Sequence, residues 1–326
     1  MRRREFITVI CAAAFGLFPV WAQQSPSPLV GVLDAGSAES RSKDHEALRR
    51  GLRELGYVEG RNIQLEYRYA DGHLDRLPGL AAELVRLNPK IIVSAPLPAN
   101  LALHKLTTTV PIVMASGADP VGFGLVESLS HPGGNITGLT NFAEELASKQ
   151  LDLIRELLPG LARVGVIVNV QNPLHEPEWQ KTQAAATTHS LALVRFDFRV
   201  VEDFERAFGL FSREKVDAVL IPPDVTFGAN RWHIAELAAK LRLPAIYFTR
   251  QYAEAGGLLS YGPNPSESYR RAAVFVDKIL KGAKPGDLPI EQPTTFELAV
   301  NLRTAAAMGI TIPPSLMLRV DRKIPP

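Results

Sequence analysis

One rhythm runs twice along this chain. Val30-Gly31-Val32-Leu33 is answered by Val164-Gly165-Val166-Ile167, and Ile91-Ile92-Val93-Ser94-Ala95-Pro96 by Ala218-Val219-Leu220-Ile221-Pro222-Pro223. Val110-Pro111-Ile112-Val113 is answered by Leu243-Pro244-Ala245-Ile246. The offsets are 134, 127 and 133 residues, and such constancy predicts two structurally similar lobes. Apolar runs at Leu29–Asp34, Ile63–Tyr69, Lys90–Ala95, Pro111–Ser116 and Ile136–Thr140 read as strands of the first. Val164–Asn169, Leu193–Phe198, Ala218–Pro222, Ala245–Thr249 and Leu258–Tyr261 read as strands of the second. Helical periodicity fills the gaps, as in Leu48, Leu52 and Leu55, then Leu77, Leu80, Ala81, Leu84 and Leu87. Phe142–Leu158 is expected to be the helix that opens the second lobe. Strand, helix, strand at this spacing means an α/β fold of parallel βαβ units, here two doubly wound lobes joined by a hinge. The expected division is 23–141 plus 251–291 for lobe 1 and 142–250 plus 292–326 for lobe 2.

Two such lobes fix where chemistry belongs. Open parallel sheets bind ligands beyond the carboxyl ends of their strands, so the ligand is expected between the lobes. The residues there are polar: Ser37, Ser94, Ser116, Gly117, Asp119, Asn169, Asn172, Asp224 and Tyr261 are the candidate ligand contacts. Asp119-Pro120 also reads as the capping pair of a helix starting near Val121. Asp224 follows two prolines that remove local N–H donors, which leaves its carboxylate prominent and a candidate to bind a ligand cation.

The start of the chain has its own reading. Arg2-Arg3-Arg4 precedes an apolar run from Phe6 to Trp21 that ends in Val20-Trp21-Ala22, the pattern of a cleaved export signal over residues 1–22. Arg3-Arg4-Glu5-Phe6-Ile7 also fits the twin-arginine pattern, so a periplasmic location is expected. Cys11, the only cysteine, lies inside that signal. Without disulfides or thiolate metal sites, the remaining chain must hold together by packing. Residues 1–22 contain three Arg and one Glu, so 33 basic and 33 acidic residues remain and nucleic acid is not an expected partner. Stable membrane insertion of the mature chain is not expected either, and a monomer is.

Catalytic signatures are missing. No Gly-Lys pair forms a phosphate loop, and Glu127 stands where Gly122-Phe123-Gly124 would need a third glycine for a dinucleotide. There is no Gly-x-Ser-x-Gly elbow, and the seven histidines, at 45, 73, 104, 131, 175, 189 and 233, show no metal spacing. They read as surface or capping residues. The expectation is no cofactor, no metal and no enzyme.

Asp119-Pro120-Val121-Gly122-Phe123-Gly124-Leu125-Val126 and Ser130-His131-Pro132-Gly133-Gly134-Asn135-Ile136-Thr137-Gly138-Leu139 carry a family resemblance. So do Gly51–Asn62, Gly256–Gly262 and Phe296–Leu302 through Gly309–Pro314, in family order. These blocks resemble the ABC-transporter substrate-binding proteins of the tryptophan-binding, TrpX-like type. The resemblance implies the type I periplasmic binding protein fold, with three segments crossing between lobes, and delivery of a solute to an ABC permease and ATPase. One departure stands out: Ser94-Ala95-Pro96-Leu97-Pro98 has two prolines where the family has small residues and glycine. The expected ligand is small and amino-acid-like or an aromatic carboxylate. Two other readings stay open, a sensory partner of a membrane receptor and a two-lobed transferase or isomerase.

Overall fold

The computed structural model describes residues 27–140 and 146–325. The expected export signal, Cys11 and the first residues of the helix foreseen at Phe142 lie outside them. Chain order in the first lobe is β1 (Leu29–Asp34), α1 (Ser42–Glu54), β2 (Gln64–Tyr69), α2 (Leu77–Arg86), β3 (Ile91–Ala95), α3 (Leu97–His104), β4 (Ile112–Met114) and β5 (Ile136–Gly138). The second lobe continues with α4 (Leu146–Leu157), β6 (Arg163–Asn169), α5 (His175–Thr188), β7 (Ala192–Phe198), α6 (Asp203–Arg213) and β8 (Ala218–Ile221). It goes on through α7 (Val225–Ala229), α8 (Arg231–Lys240), β9 (Ala245–Tyr247), α9 (Arg250–Glu254) and β10 (Leu259–Gly262). Helix α10 (Pro265–Leu280) returns to the first lobe, and β11 (Glu297–Asn301), α11 (Leu302–Met308), α12 (Pro314–Met317) and β12 (Arg322–Ile324) complete the second.

The first sheet has the order β2-β1-β3-β4-β5, all parallel. The second has the order β12-β11-β10-β9-β8-β6-β7, parallel except where β11 runs antiparallel to β10. Two α/β lobes with central, mostly parallel sheets are therefore present, as the repeated pattern predicts. Residues 251–262 are a correction: they were expected in lobe 1, yet β10 pairs with β9 inside the second sheet. The chain crosses back only at Pro263–Asn264, before α10.

Alternation along the strands builds a core on both faces of each sheet. Val30 and Val32 of β1 join the cluster under α1 and α10, with Leu48, Leu52, Phe275 and Val276. Leu33 points the other way, toward Leu84 and Leu103. Val164, Val166 and Val168 of β6 meet Leu151 and Ile154 of α4, while Ile167 faces Phe204, Phe208 and Phe211 of α6. The glycines at matching places in the repeat explain the close packing. A Cβ at Gly31 would sit 3.3 Å from Leu84, and one at Gly165 only 2.8 Å from the Phe211 ring. Among the described residues, no helix is long and apolar enough to cross a membrane.

Candidate ligand-binding site

The carboxyl ends of both sheets face each other and enclose a cavity of about 110 Å³. Strand-end loops supply much of its wall: Pro96–Pro98 and Ser116–Ala118 from the first lobe, Pro223–Val225 and Phe248-Thr249 from the second. The lobes also touch. Val225 of the second lobe is buried in the first lobe's apolar cluster, and Leu174 packs against that cluster. Thr226 Oγ1 donates to the Gly72 carbonyl at 3.4 Å, and Lys43 reaches Glu254 at 3.3 Å. The two lobes thus meet beside the cavity.

On the first lobe, Asp34 ends β1 fully buried and organises the wall. It accepts from Gly36 N at 2.7 Å, from the Tyr269 hydroxyl at 2.5 Å and from His45 Nε2 at 3.1 Å, and Arg41 Nε lies 3.3 Å away. With Nε2–H committed to the carboxylate, His45 Nδ1 accepts from Tyr69 OH at 3.0 Å. Burial pushes the Asp34 carboxyl up, but Arg41, His45 and Tyr269 outweigh it and hold it at about 2. Arg41 also meets Asp44 at 3.3 Å, and Asp44 accepts from Ser266 Oγ at 2.7 Å. Arg41 and Tyr269, fixed in this way, both face the cavity.

On the second lobe the organising group is Asp224. Its Oδ1 caps α7, accepting from Thr226 N at 2.7 Å and Phe227 N at 3.2 Å. Its Oδ2 accepts from Asn169 Nδ2 at 3.0 Å and Asn172 Nδ2 at 2.8 Å. His175 lies 3.5 Å from the same oxygen. Asn169 N donates to its Nδ1 at 2.8 Å, leaving Nε2 to donate to the Pro223 carbonyl at 3.2 Å. Burial holds its pKa down and so keeps the ring neutral, against the pull of Asp224.

Three further groups complete the cavity. Tyr252 is 4% exposed, stacks on Tyr247, and its hydroxyl has no hydrogen-bond partner. Burial raises its pKa well above the ordinary tyrosine value, so it stays a donor. Arg231 opens α8, donates to the Gly228 carbonyl at 2.9 Å, and makes no ion pair among the described residues. Phe248 and the prolines supply apolar surface.

The sequence-derived candidates divide. Ser116, Gly117, Asn172 and Asp224 line the cavity. Ser37 sits behind it, with its hydroxyl on Ser40, which does line it. Ser94 is buried and donates to Asn100 Oδ1 at 2.6 Å, so it serves the loop rather than the cavity. Asn169 is spent on Asp224 and Gln171. Tyr261 stacks on Phe296 and packs on the second lobe's core, away from the cavity. Asp119 is another correction. No helix starts at Val121; Asp119 has φ 33° and caps a tight turn by accepting from Gly122 N at 2.9 Å. Asp224 does line the cavity, but four donors occupy the carboxylate that was expected to be prominent there. His45 and His175, read as surface or capping residues, are both buried in the site's framework. Arg41, Arg231, Tyr252 and Tyr269 were missed. Arg41, Tyr252 and Tyr269 lie in the turn or helix after a strand-end loop and Arg231 opens the helix after α7, where only docking decides what faces the cleft.

Among the described residues no group of three or more His, Cys, Asp or Glu is placed to hold a metal ion. The arrangement provides binding surface from both lobes. The profile of the family described as "ABC transporter substrate binding protein" matches residues 29–324. A "Tyrosine-binding protein" of Clostridioides difficile (strain R20291) is 23% identical over 281 residues, 86% of this chain and 81% of that one. A crystal structure of a conserved domain protein from Vibrio cholerae superposes with a TM-score of 0.86 at 28% identity, covering 91% of this chain and 99% of that one. The ABC domain from Streptococcus pneumonia in complex with L-Trp gives 0.85 at 25% identity, covering 91% and 100%.

Proposed function

The chain belongs to the ABC transporter substrate-binding protein family, and from that premise we propose that it is the exported solute-binding subunit of an importer. It takes a small amino-acid-like or aromatic carboxylate ligand into the interlobe cleft and presents the closed form to a permease driven by an ATPase. Proteins of this family bind solutes and are not enzymes. One observation carries the reading: a cavity whose wall is shared by the strand ends of both lobes, apolar at its sides and polar at Ser116, Arg41 and Arg231. Such a cavity couples ligand capture to lobe closure, because the ligand's partners are complete only when both lobes are present. The relatives that bind tyrosine and L-Trp support the ligand class. The Arg-rich start with Val20-Trp21-Ala22 supports export to the periplasm. Titration calorimetry of the purified protein with L-tyrosine, L-tryptophan and aromatic carboxylates tests the proposal. Binding of at least one at a single site is expected, and heats no larger than dilution for all of them would overturn it.

A further inference from the structure

We infer that the cleft is built for a carboxylate that lacks an ammonium group, an aromatic or other apolar monocarboxylate rather than a free amino acid. The inference rests on the cleft being the solute site and narrows what that site accepts.

The balance of donors and acceptors points this way. Asp224 is the carboxylate lining the cavity, and its acceptor positions are taken by Thr226 N, Phe227 N, Asn169 Nδ2 and Asn172 Nδ2. Asp34 and Asp44 lie behind Arg41 and are occupied by Tyr269, His45, Gly36, Ser266 and Arg41 itself. A ligand ammonium would therefore meet no vacant acceptor position on Asp224 and would have to displace one of its four donors, which leaves the displaced N–H unpaired. Donors are in surplus. Tyr252 lines the cavity and its hydroxyl is buried and unpartnered, and an orphaned polar group beside a ligand site calls for a partner. Arg231 spends one N–H on Gly228 and faces no carboxylate among the described residues, and Arg41 has an uncommitted Nη2. Arg231, Arg41 and Tyr252 all line the same cavity. A planar carboxylate between them accepts from the phenol and from a guanidinium fork. Prolines 96, 98 and 223 with Leu97 and Phe248 leave an apolar wall for the rest of the molecule.

Phenylpropionate, L-phenylalanine and phenethylamine share one skeleton and differ only in their charged ends; indolepropionate, L-tryptophan and tryptamine form a parallel series. Calorimetry with the wild-type protein is expected to show each deaminated acid binding at least about tenfold tighter than its amino acid, and no binding of either amine. Arg231→Gln and Tyr252→Phe, with melting temperatures near wild type when unliganded, should each weaken binding of the deaminated acid about tenfold. Tighter binding of an amino acid than of its deaminated partner, or unchanged affinity in both variants, overturns this inference and leaves the solute-binding reading standing. Failure of the wild type to bind any of the acids or amino acids overturns both.

Discussion

Glu178 shows how a single side chain carries a pH signature that the sequence does not reveal. It lies on α5 with its Oε2 sealed from solvent and without a hydrogen-bond partner. Burial pushes its carboxyl from 4.5 up to about 8, with Lys181 opposing and Asp224 adding to the rise. A folded-state pKa above the unfolded value means that stability is fully present below about pH 4.5 and is lost as pH rises through about 8. Urea denaturation at pH 6 and pH 9 should therefore find the wild type weaker at pH 9, with Glu178→Gln flattening that difference; equal slopes in the two proteins would contradict the assignment. Asp34 works in the opposite direction, since its lowered pKa protects the fold until pH falls toward about 2. Strand-end polarity made Asp224 and Ser116 legible from sequence. Whether a carboxylate is free or spent was not legible, because the donors to Asp224 come from β6, the loop after it and the start of α7.

Elements were read well where apolar runs were strong and less well where the chain folds back. The strands of both lobes appear within about two residues of their expected bounds, since a buried parallel strand needs a continuous apolar run. Strands β11 and β12 escaped, because Glu297–Asn301 pairs antiparallel only after the chain has crossed between lobes a third time. The helix expected at Val121 fails for a local reason. Asp119 and Gly124 adopt left-handed φ angles of 33° and 69°, which a helix start does not allow. Helix α7 shows the reverse case: five residues long, it depends on its cap. Asp224→Asn should remove acceptor capacity for Asn169 and Asn172 and destabilise the protein by about 1–3 kcal/mol. Chemical denaturation measures this directly, and an unchanged midpoint would mean that the cap and the amide pair contribute nothing.

At the scale of the whole molecule, the repeated pattern announced two lobes, and the loops after their strands announced a cleft. The crossing points at Pro263–Asn264 and before β11 were beyond it, since periodicity does not say which sheet a strand joins. The lobes meet through Val225, Leu174, Thr226 and Lys43, a modest set of contacts that opening can break and ligand can reinforce. A ligand present at 100 times its Kd should add about 2.7 kcal/mol to stability by mass action. Small-angle scattering should show a larger radius of gyration without ligand than with it, and equal radii would argue against a closing cleft. The proposed function requires the interlobe cavity to hold one small solute and release it unchanged. Native mass spectrometry of the protein purified from its own host tests it most directly. The expected result is a single small-molecule adduct per chain, recovered chemically intact on denaturation. Protein that carries no small molecule, or a recovered molecule altered by the protein, would contradict it.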